Sequence, residues 1–139
     1  MEPKKILIVD DSPIIRKALA MKLNASGYAA LTAEEGGEAV KIVRSHKPDL
    51  IILDVSFPPD VAHGGGIPWD GFLIMDWLRR MDEARDVPVI LISSTNTQQI
   101  RDRALKQGAA WFFGKPVDHD DLLGAISLAL LNRETTSAS

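Results

Sequence analysis

Five short apolar runs, separated by five stretches of helical periodicity, predict an α/β fold: a parallel five-stranded sheet with helices on both faces. Three observations carry this. ILIV, LIIL and VILI are continuously apolar, as in strands covered on both faces. Between the runs, apolar residues recur at helical spacing. No unit repeats another in sequence.

The elements follow in order. Residues 4–9 (KKILIV) form the first strand. Ser12 and Pro13 supply a helix cap and a first-turn proline, and Ile14, Ile15, Ala18, Leu19 and Leu23 give the helix its apolar stripe, which ends before Gly27. Residues 28–32 are the second strand. Gly36–Gly37 opens a helix over 38–45 that buries Val40 and Val43. Pro48 introduces the third strand at 49–53, and the next helix starts near Asp70. Pro88 leads into VILIS, rich in branched residues that suit a strand. A helix over 96–107 stops at Gly108, and 110–113 is the fifth strand. Asp118 caps a last helix in which Leu122, Leu123, Ile126 and Leu130 share one face. One domain over 1–131 is expected, followed by a polar, frayed tail or start of a linker at 132–139 (NRETTSAS).

One segment breaks the rhythm. VSFPPDVAHGGGIPW, between Asp54 and Asp70, holds three prolines and three glycines, so a long loop is expected beside the sheet. Its HGGG, His63–Gly66, resembles an oxyanion loop of lipases, but no G-x-S-x-G nucleophile elbow accompanies it. A flap or spacer fits better.

Composition narrows the function. At 139 residues, one domain can bury a core without staples. A formal charge of −3 and no basic stripe argue against direct nucleic-acid binding. Cysteine is absent, which removes disulfides, thiolate nucleophiles and cysteine metal sites and suits a reducing cytoplasm. No apolar run reaches the roughly 18 residues of a membrane span, and MEPKKILIVDD does not read as a signal peptide.

The chemistry gathers at the carboxyl ends of the strands. Asp10 and Asp11 follow ILIV, Asp54 follows LIIL, Ser93 ends VILIS, and Lys115 follows WFFG. In an open parallel sheet these ends line one crevice. Carboxylates about 4 Å apart at an effective dielectric near 20 repel by roughly 4 kcal/mol, so the cluster calls for a cation. Oxygen ligands without cysteine or histidine select Mg2+ (or Mn2+). Asp54, alone at its strand end, is the candidate nucleophile toward phosphorus, with Lys115 and Ser93 placed to hold phosphoryl oxygens. Each residue also has a plainer role. Asp10–Asp11 could cap a helix, Asp54 could sit in a turn, Lys115 could be a solvated strand end, and Phe112 could be core. His46, His63 and His119 lack metal-ligand spacing and are expected at the surface; Trp69, Trp77 and Trp111 are expected to pack.

ILIVDDS, PDLIILD with Pro58 four residues on, PVILIS and GAAWFFGKP together resemble the receiver domains of two-component response regulators, particularly chemotaxis-type single-domain receivers. The resemblance runs from Lys4 to about Leu131. It implies a flavodoxin-like doubly wound sheet of strand order 2-1-3-4-5 with five helices. It implies that Asp54 is the phosphoacceptor and that Asp10, Asp11, Asp54 and the Ser56 carbonyl hold Mg2+. Ser93 and Phe112 would be the switch pair, and Lys115, before a cis proline, would meet the phosphoryl group. Implied partners are a sensor histidine kinase or phosphotransfer protein and a downstream effector. A homodimer through the fourth helix, fifth strand and fifth helix is a further implication, in a cytoplasmic protein that is no enzyme beyond its own phosphoryl transfer and dephosphorylation. The loop between Pro58 and Asp70 exceeds the family's usual turn and is expected to shield or tune Asp54. Ser56 stands where a dehalogenase-type phosphohydrolase would want an aspartate, and DDSP is too acidic for a flavodoxin phosphate loop. A receiver-like interaction module that is never phosphorylated is the alternative.

Overall fold

The computed structural model describes residues 3–54, 71–93 and 98–137. Five strands and five helices alternate: β1 (Lys5–Val9), α1 (Pro13–Ala25), β2 (Ala29–Ala33), α2 (Gly36–His46), β3 (Leu50–Asp54), α3 (Gly71–Arg80), β4 (Val89–Ser93), α4 (Gln98–Lys106), β5 (Trp111–Gly114) and α5 (His119–Ser137). All four strand pairings are parallel, in the order β2-β1-β3-β4-β5. The doubly wound sheet and its strand order match the expectation.

Period-two alternation in the central strands divides the core in two. Leu7, Val9, Ile51, Leu53, Val89 and Leu91 face one side, under α2, α3 and α4. Ile6, Ile8, Leu50, Ile52, Ile90 and Ile92 face the other, under α1 and α5. Hence the three central runs are apolar at every position. Each fully buried leucine or isoleucine contributes roughly 2 kcal/mol by removal from water.

The helix starts are made by side chains. Ser12 Oγ accepts the Ile15 N–H at 3.3 Å, with Pro13 in the first turn. At α2, which opens at Gly36 as expected, the cap is Glu35, whose carboxylate accepts the N–H groups of Gly37 and Glu38; a Cβ at Gly37 would meet that carboxylate at 3.2 Å. Asp118 Oδ1 accepts the Asp121 N–H and starts α5. Gly27 and Gly108 have φ of 95° and 92°, so the turns leaving α1 and α4 need glycine.

The structure corrects the sequence reading in four places. Ile14 is 80% exposed and Ala18 is exposed too, because the buried stripe of α1 is Ile15, Leu19 and Leu23 at intervals of four. Trp77 and Trp111 are 43% and 50% exposed, only half packed. His119 is half-buried rather than superficial. Finally, α5 does not fray at Leu131 but continues to Ser137. Arg133 Nη1 donates to the backbone carbonyl of Asp49 at 3.1 Å and lies 3.3 Å from its carboxylate, tying that last part of the helix to the start of β3.

One arginine binds the opposite face together. Arg79 Nη1 donates to the carbonyls of Ala84, Arg85 and Val87, and Nη2 reaches the carbonyl of Gly108 at 3.2 Å. The α3–β4 connection and the turn before β5 are thereby fixed to one guanidinium, beside the strands that carry Ser93 and Lys115.

Candidate functional site

Strand register brings the site residues together. Val9 pairs with Leu53, so Asp10 and Asp54 end neighbouring strands side by side. Asp54 pairs with Ile92, which sets Ser93 one step beyond it on the next strand. Ser93 pairs with Gly114 and its carbonyl accepts the Lys115 N–H at 2.8 Å, which brings Lys115 in from β5. The five residues of the sequence reading thus come from four adjacent strand ends.

The side chains converge. One carboxylate oxygen from each of Asp10, Asp11 and Asp54 lies within 4.8 Å of the others. Asp10 and Asp54 are buried, at 4% and 3% exposure, while Asp11 faces out. Lys115 Nζ is 2.8 Å from Asp54 Oδ2 and 3.4 Å from Asp10 Oδ2. Asp10 Oδ1 also accepts the Ser12 N–H at 2.9 Å, so the start of α1 and the acidic doublet share one anchor. Ser93 is buried. The Lys115–Pro116 peptide is cis, as the resemblance implies. Phe112 lies 7% exposed in the core beneath α4, with the Arg101 guanidinium 5.6 Å from its ring centre. Ser56, Thr95 and the loop with its HGGG and Trp69 lie outside the described residues.

Two features were not read from sequence. Arg16 Nη1 donates to the Asp10 carbonyl at 2.6 Å and its other nitrogen lies 3.7 Å from Glu34, so it braces the acidic strand end from α1. Its spacing from Ser12, one helical turn, was the available signal. The other is a cavity behind the carboxylates, whose walls are scattered over the sequence.

The charges explain the electrostatics. Burial raises the Asp10 pKa above the ordinary 3.8; the Ser12 N–H bond opposes this, the Asp54 charge adds to it, and Lys115 offsets part. Burial of Lys115 pulls its pKa down, but the hydrogen bond and charge of Asp54, then those of Asp10, outweigh it and hold the ammonium above 10.5. Three clustered carboxylate oxygens with no nitrogen or sulfur donor among them suit a hard divalent cation. The donor set therefore fits a hard divalent cation such as Mg2+ or Mn2+, which Asp10, Asp11 and Asp54 could hold.

A raised folded pKa means that Asp10 holds its proton more tightly in the folded chain than in the unfolded one. Its contribution to stability therefore falls as pH rises from 3.8 through the raised value. Asp10→Asn removes that loss while keeping an oxygen for the Ser12 N–H. The metal-free variant is expected to be about 1 kcal/mol more stable at neutral pH, and to lose stabilisation by added magnesium. Urea melts with and without magnesium check both; a variant less stable than wild type in metal-free buffer contradicts the account.

Residues 6–127 match the family signature of the response regulator receiver domain. The chain is 33% identical to Protein PilH of Pseudomonas aeruginosa over 126 residues, covering 91% of this chain and 97% of that one. It is 30% identical to the polar-differentiation response regulator DivK of Brucella anthropi over 115 residues, covering 83% and 86%. A CheY-like receiver domain protein from Methanospirillum hungatei superposes with a TM-score of 0.81 over 96% of this chain and 98% of that one; its 23% identity speaks to the fold. With the fold, the acidic crevice and these relatives in agreement, the chain belongs to the response regulator receiver domain family.

Proposed function

We propose that this receiver is switched by phosphorylation of Asp54, with the phosphoryl group supplied by a sensor histidine kinase or a phosphotransfer protein in the cytoplasm. The observation that carries this reading is Lys115 Nζ set between Asp54 and Asp10 inside a carboxylate group able to hold a divalent cation. Asp54 is thereby an oxygen nucleophile with positive charge already beside it.

The transfer forms a bond from an Asp54 oxygen to phosphorus as the bond from phosphorus to the donor atom breaks. The donor leaves with that electron pair, and Asp54 becomes an acyl phosphate. Asp10, Asp11 and Asp54, with the Ser56 carbonyl as the family resemblance implies, would hold a divalent cation that would neutralise charge at the phosphoryl oxygens. Lys115 exchanges its Asp54 contact for a phosphoryl oxygen, and the Ser93 hydroxyl donates to another. Water then attacks phosphorus, the bond from Asp54 oxygen to phosphorus breaks, and inorganic phosphate leaves with Asp54 restored as a carboxylate, so the chain acts only on its own phosphoryl group.

The added charge, roughly −1.5 to −2, falls at the ends of β4 and β5. Ser93 and Lys115 are drawn to it and bias the face of α4, β5 and α5, with Phe112 as the buried element of that switch. Phe112 is already inward here, so the shift repacks a buried ring. That face carries half-exposed Trp111 and exposed Leu105 and Leu128, an apolar surface for a downstream effector or a second receiver.

Acetyl phosphate with magnesium, followed by intact mass measurement, tests the reading. Wild type is expected to gain one phosphoryl group, and chelation of the magnesium or Asp54→Ala to abolish the gain. No gain in wild type leaves a receiver-like interaction module. A gain undiminished in Asp54→Ala puts the acceptor elsewhere.

A further inference from the structure

Asp11 is the exposed member of the acidic cluster, so core packing does not fix the direction of its carboxylate. That direction comes from the two peptide units on either side of it, each planar and each held by a hydrogen bond. The unit after Asp11 carries the Ser12 N–H, which donates to Asp10 Oδ1 at 2.9 Å. The unit before it carries the Asp10 carbonyl, which accepts from Arg16 Nη1 at 2.6 Å. The Asp10 N–H is tied to β2 as well, donating to the Ala33 carbonyl at 3.1 Å. Of these three bonds, only that from Arg16 comes from a side chain outside the doublet.

We propose that Arg16 is a positioning residue for the divalent cation: by holding the Asp10–Asp11 peptide it aims Asp11 at the site shared with Asp10 and Asp54. The inference rests on the cation reading given above and adds to it a residue outside the carboxylate set. The helix itself does not call for an arginine here. Arg16 stands near the start of α1, where a cation gains nothing from the backbone dipole, yet its side chain is only 14% exposed. The side chain runs back toward the helix start, the direction that long helical side chains favour, and meets the Asp10 carbonyl there. Glu34, just past β2, lies 3.7 Å from its second nitrogen and offsets its charge. Charge and position predict opposite outcomes for its removal. A guanidinium near a cation site repels the cation, so its loss alone would tighten binding. Loss of the carbonyl bond frees the peptide and lets Asp11 turn away, which weakens binding; groups that orient metal ligands typically contribute about 10–100-fold in affinity.

The test is magnesium titration of the full chain at constant ionic strength without phosphodonor, followed by backbone amide NMR, with urea melts in metal-free buffer alongside. Arg16→Met is expected to bind magnesium about tenfold more weakly than wild type while keeping a folded spectrum. Arg16→Lys keeps the charge but serves one of the two partners, and is expected to fall between them. Paired with Asp11→Asn, Arg16→Met is expected to cost less affinity than it does alone, since the ligand it aims is already gone. This coupling separates aiming from general support of the strand end, which would lower the urea midpoint and leave the two affinity losses additive. Should Arg16→Met not fold, Arg16→Lys and its pairing with Asp11→Asn decide. Affinity equal to or tighter than wild type in a folded Arg16 variant, or additive losses with Asp11→Asn, overturns the proposal. A wild type that binds no magnesium overturns the cation reading and this inference with it, whereas wild-type binding that the variants leave unaltered overturns this inference alone.

Discussion

Replacing Lys115 with alanine is expected to destabilise the metal-free protein by about 3 kcal/mol at neutral pH. The ammonium lies 2.8 Å and 3.4 Å from the carboxylates of Asp54 and Asp10, both buried. Removing it takes a cation away from two buried like charges. The figure sits at the lower end for a broken buried pair because Lys115 itself is 23% exposed and water can enter its place. The pH dependence gives the cause away. Stripped of Lys115, Asp10 relieves the repulsion by taking up a proton, so the deficit should shrink as the pH falls toward 3.8. In wild type the lysine's contribution is fully present below 10.5 and is lost as pH rises through its raised folded value. Added magnesium should restore part of the variant's stability by supplying the missing charge. Urea melts across this pH range measure all three effects. A deficit that is constant down to acid pH would show that the lysine's methylenes, not its charge, hold the crevice.

The acidic crevice and its cost are two sides of one arrangement. Asp10 carries a raised pKa because burial and Asp54 oppose its charge, and its bond to the Ser12 N–H and its contact with Lys115 offset only part of this. The same carboxylates, gathered within 4.8 Å, are what make the site competent for a hard cation. Stability is given up where the chemistry sits, and the sheet beneath supplies the surplus.

That division also explains what the sequence could convey. The central strands were legible because burial on both faces leaves no alternation to confuse, and Pro48 and Pro88 mark where two of them begin. Once the strands are parallel, register alone sets Asp10 beside Asp54 and Ser93 one step further on, so the site followed from the fold. Features made by contacts between distant segments were not legible. Glu35 caps α2 with a side chain that looks like any surface glutamate. Arg133 extends α5 through a bond to Asp49, 84 residues away. Arg79 collects four carbonyls from two connections that share no motif. The cavity is bounded by β1, α1, β3, β4 and the start of α5, and no local pattern announces a space.

Truncating Leu53 to alanine is expected to cost about 4 kcal/mol, the largest stability loss of any single change argued for this chain. Leu53 is fully buried in β3, between Val9 and Leu91, which are equally buried on the flanking strands. Neither neighbour can move into the vacated volume without breaking its own ladder, so the site collapses little and the cavity term adds to the lost transfer energy. Ile14→Ala removes a similar amount of side chain from a residue that is 80% exposed, and should change stability by less than about 0.5 kcal/mol. The pair separates two uses of apolar residues that look alike in sequence. Leu53 holds the strand that presents Asp54. Ile14, three residues after Asp11 on the first turn of α1, is outside both core clusters of the described residues and leaves an exposed apolar side chain on α1. Parallel urea melts of the two variants decide it: comparable losses would mean that Ile14 packs against the domain in solution, and that the face of α1 next to the acidic doublet is closed rather than open to a partner.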